Sequence, residues 1–296
     1  MSYIKNIKKD GDNIIIEPYH GNNLKIENNI SLDKIDKDSE IVRICFLDLE
    51  TTGLDAKEDF PIEIAMRIVE FKKTTGDIVN AVAEYESYND PHVPISSHIT
   101  KLTGITDEMV SGKSIDWNQV KNLLELSQIA VAHNAKFDRS FIDKYIDTNM
   151  VWACSQKDIN WMERGFFKIS LEMLCMWHGF YFGAHRAMND VNATINLLTH
   201  SSYKENKPML ELINNAKKPI HRIINNFPYS PILVKLIKNR DRRYFYVPNN
   251  KSWVIDFSNE DELENERVWL EENIYQGHFR GEIKKLSIFD KYKISL

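Results

Sequence analysis

Asp48 and Glu50 stand two residues apart at the end of an apolar run, in the stretch IVRICFLDLETTGL (Ile41–Leu54). Alternate side chains of a β-strand share a face, so the two carboxylates point the same way. Neighbouring carboxylates repel, and burying them is costly unless a cation neutralises them. Hard divalent ions such as Mg²⁺ take oxygen ligands of this kind. Thr51, Thr52 and Gly53 then break the strand, and Gly53 permits a tight backbone path close to a ligand. Taken alone, the pair is better explained by a strand that ends in a solvated acidic turn.

Two further stretches carry groups of the same sort. In AVAHNAKFDRSF a short buried-type run leads through a loop into a helix bearing Asp138. In GAHRAMNDV, His185 follows a glycine and Asp190 comes five residues later at a helix start. Each has an ordinary explanation. Asp190 suits a helix N-terminus on dipole grounds, Asp138 suits an exposed helix face, and a single histidine is more often structural than catalytic.

The elements that must position these groups follow from periodicity. Ile41–Leu49, Ile62–Phe71 and Ile78–Tyr88 read as strands joined by short turns, an antiparallel start to a sheet. Helical spacing follows around Ser96–Leu102, after Thr106 as a cap, and over Trp117–Leu126. Ile129–Ala132 reads as a buried parallel strand, Lys136–Tyr145 as a helix and Met150–Cys154 as another strand. Ser170 caps a helix over Leu171–His178, and Asp190–Leu198 is amphipathic, with Val191, Thr194, Ile195 and Leu198 on one face. Antiparallel strands followed by strand–helix alternation predict an α/β fold with a mixed central sheet.

At 296 residues the chain has room for one large domain and a smaller one. Its 43% hydrophobic and 27% charged residues are ordinary for a soluble globular protein, and no apolar run is long enough to span a membrane. The opening MSYIKNIKKDGDN has no apolar core of a secretory signal. Cys45, Cys154 and Cys175 are odd in number and form no CxxC pair, which suits free thiols in a cytoplasmic setting. The net charge of −5 argues against a uniformly basic nucleic-acid binder. From Lys207 onward, however, sixteen Lys and Arg face twelve Asp and Glu, so the acid is concentrated in the front of the chain.

Three blocks occur in a fixed order: DLETTG at Asp48–Gly53, HNAKFD at His133–Asp138 and HRAMND at His185–Asp190. Together with the linking segment ITKLTGITDEMV, they resemble the DnaQ-like DEDDh family of 3′–5′ exonucleases over roughly Ile41–Leu198. The resemblance implies a ribonuclease-H-like mixed sheet flanked by helices. It also implies a two-metal centre holding Mg²⁺ or Mn²⁺ on Asp48, Glu50, Asp138 and Asp190, with His185 as general base for the attacking water. The expected reaction releases nucleoside 5′-monophosphates from DNA 3′ ends in repair, end-trimming or proofreading. RNA 3′ ends are the nearest alternative, and a non-catalytic module that binds nucleic acid or a polymerase is the alternative from another class. By the same resemblance Thr51, Thr52, Leu54, Leu102, Thr103, Asn134 and Phe137 line the pocket for the terminal nucleotide. One departure is Cys154-Ser155, where many members have an acidic residue before a threonine.

This divides the chain into an N-terminal extension (1–40), an exonuclease domain (41–206) and a small α+β module (207–296). In the module, Lys235, Lys238, Arg240, Arg242 and Arg243 precede Tyr244, Phe245 and Tyr246, with Trp253 across a turn. Basic residues interleaved with aromatics suit single-strand contact, although aromatics alternating on a hairpin equally suit a core. No Gln-led clamp-binding peptide is visible between Thr199 and Lys218.

Overall fold

Every residue from Val42 to Leu47 is buried, which a strand achieves when both of its faces are covered. That strand is β1 (Ile41–Thr51), the centre of the sheet in the computed structural model, which describes residues 8–21, 24–26, 39–240 and 244–293. On one side β1 pairs antiparallel with β2 (Pro61–Lys72), which pairs antiparallel with β3 (Ile78–Tyr88). On the other it pairs parallel with β4 (Ile129–Ala132), which carries β5 (Val151–Cys154), also parallel. The order β3-β2-β1-β4-β5 makes the mixed sheet that the alternation of elements predicts.

The helices α1 (Ser97–Thr103), α2 (Asp107–Val110) and α3 (Trp117–Glu125) lie in sequence between β3 and β4. Helix α4 (Ala135–Ile142) joins β4 to β5, and α5 (Leu171–Trp177), α6 (Ala187–Leu198) and α7 (Pro208–Ala216) follow. The period of two along β1 sorts its side chains between two cores. Val42, Ile44 and Phe46 pack with Leu174 of α5, Val191 and Ile195 of α6, and Leu212 of α7. Cys45, Leu47 and Leu49 pack with Val120 and Leu124 of α3 and Phe141 of α4. Burying such a side chain contributes about 1.5–3 kcal/mol, so this strand is held firmly in register. All three cysteines are free and buried.

The described residues form two compact units, one running through Ala216 and including Tyr292, the other within Lys217–Lys291. The boundary therefore falls after α7 and not at Lys207. Met209, Leu212, Ile213 and Ala216 belong to the core of the first unit, so the apolar face of this helix decides its membership. The expected N-terminal extension is also partly integrated: Glu17–Pro18 pairs with Phe180–Tyr181, and Leu24 is buried in the same core.

The second unit is α+β, as expected. It contains β6 (Ile220–Asn225), α8 (Pro231–Asn239), β7 (Phe245–Val247), β8 (Ser252–Phe257), α9 (Glu260–Asn273) and β9 (Glu282–Leu286). Its antiparallel sheet has the order β7-β8-β6-β9, and Ile223, Ile255 and Phe257 pack on Ile237, Leu270 and Ile274. Strand β9 went unread because four of its five residues are exposed, leaving no apolar alternation to see. Among the described residues, no helix is long and apolar enough to cross a membrane.

Candidate active site

The site begins where β1 leaves the shelter of its neighbours. Past Phe46 the even positions of β1 become Asp48 and Glu50, on the face that α6 covers. The β1–β4 ladder runs only from Ile44↔Ile129 to Phe46↔Val131. Beyond it the Leu49 N–H donates to Asp138 Oδ1 (3.2 Å), which brings the first turn of α4 to the end of β1. Asp138 Oδ2 is buried with no hydrogen-bond partner among the described residues.

Helix α6 supplies the third acidic group. It starts at Ala187, earlier than the expected Asp190, so Asp190 lies one turn inside it. The Asp190 carboxylate folds back to accept from the Arg186 N–H (3.2 Å) and the His185 N–H. Oxygen atoms of Asp48, Glu50 and Asp190 all lie within 4.8 Å of one another. His185 stands outside that trio with positive φ (63°), its Nε2 3.7 Å from Glu172 Oε1.

So many carboxylates in one place hold on to their protons. Burial raises Asp48 well above the usual carboxylate range, and the charges of Asp190, Asp138, Glu50 and Glu63 raise it further. Burial, then the charges of Asp190 and Glu63, push Glu50 up to about 8. Burial likewise pushes Asp138 to about 8 and Asp190 to about 7, against the backbone N–H groups that each carboxylate accepts. The donors are all hard oxygens, one of them buried and orphaned, and their repulsion is of the kind that bound cations relieve. The set fits divalent metal.

Sequence reasoning missed five residues around the site. Glu63 lies opposite Glu50 on β2 and accepts from the Ala187 N–H (2.9 Å) and from Arg186 Nη2 (2.9 Å). Arg186 also donates to the Tyr88 hydroxyl (2.6 Å). Glu172 faces His185, and Asp59 holds the loop after β1. An acid at the start of the apolar run of β2 was the available signal for Glu63, because a glutamate is rarely buried without a partner.

The expected pocket residues divide into two groups. The Thr51 hydroxyl donates to the Gly53 carbonyl (2.5 Å), Thr52 Oγ1 to Asp59 Oδ1 (3.1 Å) and Thr103 Oγ1 to the Ile99 carbonyl (3.0 Å). Each of these hydroxyl donors is used inside the protein. Leu54 (86% exposed), Leu102 (44%) and Asn134 remain exposed, while Phe137 is half-buried and packs on Phe141. His133, the first residue of its block, is a half-buried structural group between the Ser155 hydroxyl (2.8 Å) and the Ile169 carbonyl (3.0 Å). Burial lowers its pKa to about 4. Ser155, the point of departure from the family pattern, thus orients this ring.

In the second unit Lys235 and Lys238 are exposed on α8. Arg240 is instead committed: it pairs with the fully buried Glu266 (3.1 Å) and stacks over Trp269 (4.5 Å). Arg242 and Arg243 lie outside the described residues. The Tyr246 and Trp253 rings pack against each other across the hairpin at a tilt (centroids 5.3 Å apart).

Fold and acidic cluster together define a ribonuclease-H-like exonuclease domain. The family model described as Exonuclease (RNase T) matches residues 45–198, and the chain belongs to that family. The resemblance to DnaQ-like exonucleases is thereby borne out. Among curated relatives, the DNA polymerase III PolC-type of Halalkalibacterium halodurans is 33% identical over 171 residues, which is 54% of this chain and 11% of that protein. The Clostridium perfringens protein of the same name is 31% identical over 197 residues, 60% of this chain and 13% of the relative. The chain thus corresponds to a small part of either relative. A solved structure described as exonuclease X in complex with 5′ overhanging duplex DNA covers 57% of this chain and 99% of its own, at 26% identity and a TM-score of 0.41.

Proposed function

We propose that this chain is a metal-dependent 3′–5′ exonuclease that hydrolyses phosphodiester bonds at DNA 3′ ends and releases nucleoside 5′-monophosphates. The observation that carries it is the convergence of Asp48, Glu50 and Asp190 within 4.8 Å, with the orphaned Asp138 Oδ2 on the adjoining helix. Asp48, Glu50, Asp138 and Asp190 would hold two Mg²⁺ or Mn²⁺ ions. When bound, such ions make water more acidic and stabilise the leaving 3′-oxygen.

The chain's own groups do the rest. The backbone N–H groups of His185 and Arg186 aim Asp190 at the strand, and the Leu49 N–H aims Asp138. His185, partly exposed beside the helix start, takes the proton of the attacking water at an imidazole nitrogen. The new P–O bond forms from that water and the P–O3′ bond breaks. The terminal nucleotide leaves with the phosphate, and the shortened strand's 3′-oxygen is protonated. Leu54 and Leu102 offer apolar surface to the terminal base, while Asn134 offers an amide to sugar or phosphate.

The polymerase relatives support DNA over RNA as substrate and a polymerase as a partner. Three buried free thiols support a cytoplasmic setting. The test is digestion of 3′-labelled single-stranded DNA, duplex DNA and RNA, with Mg²⁺, with Mn²⁺ and with chelator. Metal-dependent release of labelled mononucleotide from DNA is expected. RNA degraded in preference to DNA replaces the substrate, and no release from any of the three rejects the enzyme.

A further inference from the structure

The loop between β1 and β2 is built around one side chain. Asp59 Oδ1 accepts from the Thr52 hydroxyl (3.1 Å) and Oδ2 from the Asp55 N–H (2.8 Å). Thr52 Oγ1 in turn accepts from the Phe60 N–H (3.0 Å), and the Thr52 N–H donates to the Phe60 carbonyl (2.9 Å), so both ends of the loop are fastened together. The Asp59 carbonyl accepts from Lys144 Nζ (3.1 Å), two residues past α4, and that ammonium lies over the Phe60 ring (5.3 Å). At the crest, Leu54 is 86% exposed, an apolar side chain held out into solvent four residues after Glu50.

Gly53 explains why this arrangement tolerates no side chain there. A Cβ on Gly53 would lie 2.5 Å from Asp59 Oδ2 and 2.6 Å from Oδ1. The Asp59 carboxylate occupies the space beside the glycine, and it is the movable end of its side chain. A methyl group at position 53 therefore displaces the carboxylate and breaks the same hydrogen bonds that loss of Asp59 would break.

We infer that Asp59 is a positioning residue for recognition of the 3′-terminal nucleotide, acting through Thr52 and Gly53 to fix the loop that presents Leu54. It touches neither metal nor substrate. The inference rests on the exonuclease reading and deepens it. A loop already in its binding conformation does not have to be ordered when substrate arrives, so losing the clasp weakens binding and leaves the chemical step nearly intact.

The experiment compares Asp59→Ala, Gly53→Ala, the double variant, Thr52→Val and Thr52→Ser in the full chain with Mg²⁺. Steady-state release of mononucleotide from single-stranded DNA and amide hydrogen exchange are both measured. Asp59→Ala, Gly53→Ala and Thr52→Val should each raise KM roughly tenfold, with kcat within about threefold of the parent. Thr52→Ser keeps the hydroxyl and should stay near the parent. The double variant should be no worse than Asp59→Ala, because both changes remove one clasp. Exchange should quicken at residues 53–60 and not elsewhere in the first unit. An unchanged KM for Asp59→Ala overturns the inference, as do additive effects of the two single changes or exchange that quickens throughout the unit. A parent chain that releases nothing from any substrate rejects the exonuclease reading, whereas an active parent with unaffected variants rejects this inference alone.

Discussion

Glu50 and Glu63 are direct partners across the antiparallel β1–β2 ladder, yet their carboxylates have different fates. Like charges placed opposite each other destabilise a sheet. Glu63 escapes the conflict through hydrogen bonds from Arg186 and the Ala187 N–H, while among the described residues Glu50 accepts no such bond, and burial raises it to about 8. The same contacts fasten the N-terminus of α6, and with it His185 and Asp190, to β2. Glu63→Ala should therefore lower stability by about 1–3 kcal/mol in urea denaturation and also weaken Mn²⁺ binding. Metal affinity equal to the parent's would show that Glu63 plays no part in holding Asp190.

Asp48→Ala should abolish cleavage, because Asp48 is the most crowded member of the carboxylate cluster. Asp138→Asn keeps the shape and the Leu49 contact but removes a charge, and should lower Mn²⁺ affinity by at least about tenfold. Calorimetric titration with Mn²⁺ reads both changes, and parental affinity in both variants would exclude this cluster as the metal site.

His185→Ala should reduce the rate by roughly 10²–10⁴-fold while metal binding persists. The side chain lies outside the carboxylate trio, so its removal leaves those oxygens in place. A rate equal to the parent's would remove His185 from the mechanism.

Stability should depend on pH in a direction set by the raised carboxylates. Glu50, Asp138 and Asp190 hold protons to about 7–8 when folded, whereas unfolded carboxylates release them near 4. Their contribution is therefore fully present below about pH 4 and is lost as pH rises through about 7–8. With chelator, this cluster should make the protein melt at a lower temperature at pH 8.5 than at pH 6. Mg²⁺ should stabilise more at pH 8.5, where fewer protons have to be displaced. Asp48→Asn should flatten the chelator curve. Equal metal stabilisation at both pH values would contradict the assignment.

Lys235 and Lys238 are the expected cationic contacts of the second unit that the structure leaves exposed. Replacing both with Glu should weaken single-stranded DNA binding and reduce its salt slope by roughly one to two. Arg240→Ala should instead destabilise the unit, because the buried Glu266 would lose this ion pair. Binding and salt slope unchanged in the double Lys variant would assign α8 some other role.

Much of this site was legible because its chemistry is written in local pattern. The apolar period of β1, the acids after Phe46 and the order of the three blocks need only neighbouring residues to be recognised. Glu63 was not legible, since it acts through residues far along the chain, and Asp59 was not, since its partners lie in an irregular loop with no periodic pattern. The internal acceptors of the threonine hydroxyls were not legible either: a hydroxyl looks available until its acceptor is known. Arg240 looked like a phosphate contact until Glu266 and Trp269 were placed beside it.

By itself, then, the sequence determined the donor types, the strand that carries Asp48 and Glu50, and the class of fold. Only the tertiary structure decided which carboxylates keep a protein partner and which are left for a cation. Glu50 and Glu63 are chemically identical, and strand register together with the docking of α6 separates them. Such pairing is non-local, set by how two cores pack on one sheet, and no spacing within the chain encodes it directly.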